Sequence, residues 1–245
     1  MRRALKYIVF VSLCCALAYV PSIHAKSVLS DQVILTGVYL GSGAKGSKWL
    51  GPVWRIETAS KRVVRLKHLK LFGGGLRYEQ KALPERISEG ADFDPTGIFK
   101  RSFAVRFNGK IEIKPKEPFW VAARADRFKQ VYGFFPDIEI ENTTAEVPDM
   151  TIVKGPVKFP QKLGIIGLTD SSGEVLDCLV YETTGKFDSE LRFEGPWQDS
   201  PLHLNQRTAY SPFRYLLRRD RSADGSLLPD TNTAQDWNAG FSSRN

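Results

Sequence analysis

The sequence is poor in the residues that carry most metal and redox chemistry: 245 residues include 3 cysteines, 3 histidines and 2 methionines. Cys14 and Cys15 fall in a leading apolar segment, so the rest of the chain keeps Cys178 alone, with His68 and His203. One cysteine cannot close an internal disulfide, and a structural zinc takes four Cys or His ligands. Neither device can hold this fold. The sequence also lacks an apolar run long enough to span a bilayer, which takes about 20 residues. It has no internal repeat, no low-complexity tract and no linker that divides it. With 42% apolar and 25% charged residues, the composition excludes disordered, collagen-like and coiled-coil classes. A chain this long buries enough surface to stand on its hydrophobic core.

What is present begins with a targeting pattern. Arg2, Arg3 and Lys6 precede the apolar run Tyr7–Val20, then Pro21 and Ser22-Ile23-His24-Ala25. A basic start, a short apolar stretch and a small residue at a cleavage point predict a secretory signal peptide over 1–25, and a secreted or periplasmic mature chain from Lys26. An uncleaved anchor needs a longer run, and a lipidated cysteine normally follows a small residue, which Leu13-Cys14-Cys15 does not provide. Removing the three leading cations takes the net charge from +8 to +5.

Beyond Lys26, strand-like runs occur at Val33–Leu40, Val53–Thr58, Val63–Phe72, Ser102–Phe107, Ile111–Ile113, Phe119–Ala123, Leu163–Thr169 and Val175–Tyr181. Gly, Pro, Asn, Asp or Ser clusters bound most of them, the spacing of an all-β sandwich or barrel. Asp126–Tyr132 reads as one short helix, with Gly133 placed to end it. Residues 73–100 and 182–235 read as long irregular connections. The expected unit is a single domain over 26–245, with its core at about 33–181 and a C-terminal extension over 182–245. A three-residue loop, Phe107-Asn108-Gly109 with Gly109 left-handed, would pair Val105 with Ile111 and Phe103 with Ile113. In Val175–Tyr181 the period of two groups Leu176, Cys178 and Val180 apart from Asp177. The apolar face should point inward, making Cys178 a core residue rather than a nucleophile.

In order along the chain, several segments resemble the lamin-tail domain, an immunoglobulin-like β-sandwich of nuclear lamins and exported bacterial proteins. Val53-Trp54-Arg55-Ile56-Glu57, Val64-Arg65-Leu66 and Leu69-Lys70-Leu71 are similar to its early strands. Ile111–Pro115, Phe119–Ala122 and Phe128 with Tyr132-Gly133 are similar to its central strand and helix, and Leu168–Asp170, Gly173, Val175, Asp177 and Val180-Tyr181 to its late hairpin. Trp197, Arg218-Arg219, Asp230-Thr231 and Asp236-Trp237 resemble the closing segment of bacterial members. Thr58 stands where that family has Asn, and His68-Leu69 where it has Gly-Trp. The resemblance implies an immunoglobulin-like β-sandwich with one short helix and long irregular loops, acting as a binding or structural module without a catalytic set.

The motifs point the same way. Gly41-Ser42-Gly43-Ala44-Lys45-Gly46 matches a dinucleotide fingerprint, but Gly51-Pro52 follows too soon for the helix that mechanism needs, so no dinucleotide is expected. His68-Leu69-Lys70 opens like an H-x-K phosphodiesterase motif, yet the acidic position is Gly75 and there is no second copy. His203 has no serine elbow near it, although a triad can assemble from distant positions. Asp220, Asp224, Asp230, Asn232 and Asp236 crowd the tail; Asp230-x-Asn232 starts like a calcium loop, but Ala234 takes the next ligand position, and aspartates in turns usually bond their own backbone. No cofactor, metal site or catalytic residue is assigned.

The basic run Lys61–Lys70 is the most legible surface feature. Read as one strand, it turns Arg65 and Lys67 outward, with Arg62 and Lys70 extending a candidate binding stripe of Arg62, Arg65, Lys67 and Lys70. No stacking aromatic interleaves these positions, so specific nucleic-acid recognition is not indicated. A charged edge strand that discourages aggregation would look the same. The sequence thus predicts an exported, non-enzymatic binding or structural module for an anionic polymer, an envelope surface or a partner protein. The alternative is an exported hydrolase acting on phosphate esters.

Overall fold

The structure is a computed structural model that describes residues 33–40, 50–77, 82–87, 100–160, 162–184, 192–204, 215–228, 230–231 and 233–241. Residues 1–25, predicted as a signal peptide, Gly41–Gly46 and Asn232 lie outside the described residues, as do 78–81 and 88–99 of the long insert. Strands follow in the order β1 (Val33–Tyr39), β2 (Val53–Thr58), β3 (Val64–Arg65), β4 (Lys70–Gly75), β5 (Lys100–Arg106), β6 (Glu112–Ile113) and β7 (Phe119–Ala122). After helix α1 (Ala125–Tyr132) come β8 (Ile138–Glu139), β9 (Thr151–Lys154), β10 (Leu163–Thr169), β11 (Val175–Glu182), β12 (Leu202–His203), β13 (Tyr215–Arg219) and β14 (Trp237–Phe241).

Two six-stranded sheets form an all-β sandwich, as expected. One runs β14-β13-β1-β2-β7-β8 and the other β12-β11-β10-β4-β5-β9; β3 and β6 make a small separate pair. Registers show which faces meet. Phe103, Gly73, Ile166 and Leu179 align in one row of the second sheet, and Val105, Leu71, Leu168 and Asp177 in a row of the same face. Phe103 meets Trp54 of β2 edge-on, with ring centroids 6.1 Å apart, so this face packs on the first sheet. Trp54, Phe103, Leu71, Ile166 and Leu168 are fully buried there.

Cys178 is fully buried, as the sequence predicts, but on the other face. Asp177 points into the sandwich, and Leu176, Cys178 and Val180 point away from the partner sheet. That outer face stays dry because segments 82–87 and 192–204 run over the β10–β11 hairpin. Ile87 N–H donates to Gly173 O (2.7 Å), Val175 N–H to Glu85 O (2.8 Å) and Leu83 N–H to Glu194 O (2.8 Å). Leu83, Ile87, Phe193 and Trp197 are buried in the same core. The rule that an apolar face points inward fails where loops supply a third layer.

Three other expectations are corrected. Gly109 is left-handed (φ 64°), but β5 pairs with β4 and β9, while Ile113 pairs with Val64 of β3. The Asn108 side chain donates to Asp149 O (3.1 Å) and accepts from the Thr151 hydroxyl (2.8 Å), which ties this loop to the start of β9. The run 63–72 is not one strand either. Leu69 N–H bonds Leu66 O (2.9 Å) in a turn that takes His68 to φ 73° and separates β3 from β4. The core also extends past 181: the expected extension supplies β12 to one sheet, and β13 and β14 to the other.

Helix α1 forms where expected. Gly133 (φ 86°) closes it, its N–H bonded to Lys129 O. Arg124 precedes it without a side-chain cap, and the fully buried Glu139 carboxylate takes that role, accepting from Ala125 N–H (2.9 Å), Thr144 N–H (2.9 Å) and the Thr143 hydroxyl. The helix packs Phe128 with Tyr39, Leu50, Val53 and Ala122 into a second, smaller core. Tyr39, Val53 and Ala122 align with one another on the outer face of the first sheet, so α1 covers one end of that face.

Candidate functional site

The structure does not assemble the predicted basic stripe as one surface. Arg62 and Lys67 are exposed. Arg65 is exposed too, but it faces Glu112 across the β3–β6 pair, with Nε 3.1 Å from Oε1. Lys70, 2% exposed, lies inside β4 and is no surface cation. The turn at 66–69 breaks the spacing on which the stripe depends.

A different set of cations converges on the outer face of the first sheet. Across β13, β1, β2 and β7, Arg218, Gly37, Arg55 and Trp120 occupy successive directly paired positions. Strands are about 4.8 Å apart, so the two arginines spring from backbone about 10 Å apart with a residue lacking a side chain between them. Arg55 lies over the Trp120 ring at 5.6 Å and pairs through Nη2 with Glu57 at 3.1 Å. Arg221 reaches the same Glu57 carboxylate, which also accepts from the Thr36 hydroxyl (2.8 Å). Among the described residues, the buried Nε atoms of Arg55 and Arg218 have no hydrogen-bond partner. Burial chiefly, with Arg221 and Arg218 adding to it, pulls the Arg55 guanidinium below its ordinary pKa against the opposing pull of Glu57. Two guanidinium groups, Arg55 and Arg221, thus share one nearly buried carboxylate, and Arg218 adds a third positive charge close enough to act on Arg55. Beside them, Trp120, Tyr132 and Phe134 lie within 5.7–6.3 Å of one another, and Phe134 is 46% exposed.

The other polar cluster lies inside the sandwich. Arg219 Nη2 reaches both Asp177 oxygens, Nη1 reaches Asp230 at 2.6 Å, and Asp236 is 3.6 Å away. Trp237 lies 5.1 Å from the guanidinium. Leu35 completes the knot, its N–H donating to Asp177 Oδ2 (2.7 Å) and its carbonyl accepting from Arg219 Nε (3.0 Å). Leu35 adjoins the β1 bulge, and Asp177 and Arg219 satisfy its backbone groups. Burial pushes the Asp177 carboxyl up to about 7; Arg219 opposes this and Asp230 adds to it. Although burial disfavours the Arg219 cation, the surrounding carboxylates hold its pKa above the ordinary guanidinium value. The tail aspartates otherwise bond their own turns: Asp224 accepts from Ser226 N–H (3.0 Å), and Asp236 from Thr231 N–H (3.1 Å). No group of three or more metal-ligating side chains occurs among the described residues.

The histidines stand apart in role. His68 is exposed in the turn before β4. His203 Nδ1 lies 3.2 Å from Oε2 of the fully buried Glu182, whose other oxygen accepts from the Thr184 amide and hydroxyl.

The fold has a solved counterpart. A crystal structure of a DUF4876 family protein from Bacteroides thetaiotaomicron superposes with a TM-score of 0.55 at 12% identity, covering 86% of this chain and 71% of that one. No family model matches the sequence, and no curated protein matches it. At that identity the likeness speaks for the fold.

Sequence reasoning missed the outer-face arginines because their partners are remote. Glu57 and Arg221 are separated by 164 positions. The alternation in Val53–Glu57 already sets Arg55 and Glu57 opposite Trp54 and Ile56, but only the pairing of β13 with β1 brings Arg218 beside them.

Proposed function

We propose that this chain is an exported β-sandwich binding module, of lamin-tail type, whose ligand is anionic. The observation that carries the reading is the Arg218–Gly37–Arg55 row with Arg221 beside it. Guanidinium forks with unsatisfied N–H groups, flanking a position without a side chain, suit a carboxylate, sulfate or phosphate group. Arg218 and Arg221 repel the partly buried Arg55, which Glu57 only partly offsets, and an arriving anion would relieve that repulsion. Export rests on the leading segment, and the net charge of +5 left without residues 1–25 suits an envelope rich in anionic polymers.

The test is affinity for heparin, duplex DNA and anionic liposomes at low and high salt, beside an Arg218→Glu variant. Salt-sensitive binding that the variant loses supports the reading; binding indifferent to both salt and Arg218 overturns it. Intact-mass analysis of the native protein should find a chain beginning near Lys26, and a retained residue 1–25 segment would remove export from the proposal.

The hydrolase alternative draws on the Glu182-oriented imidazole of His203. Phosphodiesterase or esterase activity abolished by His203→Gln in a folded protein would favour it over the binding reading.

A further inference from the structure

Resting on that reading, we infer that the ligand is an acidic glycan. A uronate carboxylate or sugar sulfate would sit between Arg55 and Arg218, and the sugar ring against the aromatic shelf of Trp120 and Phe134. Two neighbouring features of one face support this. The first is the arginine row: Arg55 and Arg221 pair with the Glu57 carboxylate, Arg218 has no carboxylate of its own among the described residues, and the buried Nε–H donors of Arg55 and Arg218 lack an acceptor there. The second is the shelf at the end of that row. Trp120 is the direct cross-strand neighbour of Arg55, and its ring lies beside those of Phe128 (5.6 Å) and Phe134 (6.2 Å). Phe128 is fully buried in the α1 core and braces the cluster, whereas Phe134 is 46% exposed.

A phenyl ring held in place by the buried Phe128 and the half-buried Trp120 and Tyr132 offers rigid apolar area to a partner and loses little entropy on binding. An inorganic polyanion would use the arginines and gain nothing from the rings. A neutral glycan would use the rings and leave the arginines unmatched. A sugar carrying a carboxylate or sulfate addresses both, presenting its C–H face to the aromatics and its anion to the forks. Two arginines that spring from backbone about 10 Å apart can also meet anions on successive sugars, which favours a polymer over a monosaccharide.

The experiment measures binding of the full chain to polygalacturonate, heparin, dextran and inorganic polyphosphate, with Arg218→Gln and Phe134→Ala variants checked for folding by thermal unfolding. Both positions are at least partly exposed, so neither substitution should unfold the chain. Polygalacturonate or heparin should bind at least tenfold more tightly than dextran. Arg218→Gln should weaken every anion by about tenfold. Phe134→Ala should weaken the acidic glycan severalfold and leave polyphosphate unchanged. If polyphosphate binds as well as the glycans and Phe134→Ala changes neither, the glycan inference fails while the anion reading stands. If none of the polyanions binds, both fail.

Discussion

Arg219 on β13 and Asp177 on β11 face each other across the sandwich and form a two-pronged pair, with Nη2 2.8 and 2.9 Å from the two carboxylate oxygens and almost no solvent exposure on either side chain. The pair fastens the last described strands to the centre of the fold, since Leu35 of β1 gives both its N–H and its carbonyl to the same groups.

Removing one partner strands the other. Arg219→Met should leave Asp177 buried without its cation and cost about 3–5 kcal/mol, whereas Asp177→Leu/Arg219→Met should cost less than the sum of the single changes. Denaturant unfolding of the four proteins measures this. Additive single changes would show that the pair is not coupled.

The same pair predicts an unusual pH dependence. The Asp177 carboxyl stands near 7 in the folded chain against 3.8 for the free group, so between those values the folded state holds a proton that the unfolded chain has released. Stability from this group is therefore fully present below about 4 and lost as pH rises through 7. The unfolding midpoint should rise on going from pH 8 to pH 5.5, and Asp177→Asn should flatten that rise. An identical profile in the variant would exclude Asp177 as the cause.

The sequence displayed what depends on local periodicity and hid what depends on distant pairing. Val53–Thr58 and Leu163–Thr169 form at the expected bounds because alternation or apolar runs between turn residues suffice to mark a strand. Residues 215–219 and 237–241 carry no such flag; Arg218-Arg219 enters the sequence reading only through the lamin-tail resemblance, and it takes β13 to place one arginine on each face of the sheet. Asp177 misled for a related reason, since a buried carboxylate is unreadable without the arginine that satisfies it. The stripe from Arg62 to Lys70 failed at a left-handed His68, which spacing alone does not announce.

Cys178 should be chemically silent in the native chain. Burial pushes its thiol well above the ordinary value, and loops cover the face on which it lies. A thiol reagent should label it only after unfolding, at a rate that follows global stability. Labelling of Cys178 within seconds under native conditions, in a chain without residues 1–25, would show that segments 82–87 and 192–204 open.

Glu139 should matter to stability beyond its size. It satisfies two backbone N–H groups beside α1, and each buried donor left without an acceptor costs about 1–3 kcal/mol. Glu139→Ala should thus destabilise more than Glu139→Gln, which keeps one acceptor oxygen. Lost far-UV helical signal, or a fall in the denaturation midpoint, reports the effect; equal midpoints for Glu139→Ala and the parent would assign the helix terminus to other groups.

The outward cations near β3 provide the sharpest contrast with the arginine row. Arg65 already has Glu112 at 3.1 Å, and exposed pairs of this kind contribute at most about 1 kcal/mol. Lys70 is interior, which leaves Arg62 and Lys67 as separate exposed cations on either side of β3. Arg65→Glu/Lys67→Glu should therefore reduce affinity for heparin by no more than the uniform loss expected from lowering the net charge, and high salt should erase even that difference. Arg218→Glu shifts the net charge only half as far, yet should lose far more. If the β3 double variant were the more damaging, the binding surface would lie at the β3 edge and the outer-face arginines would be structural.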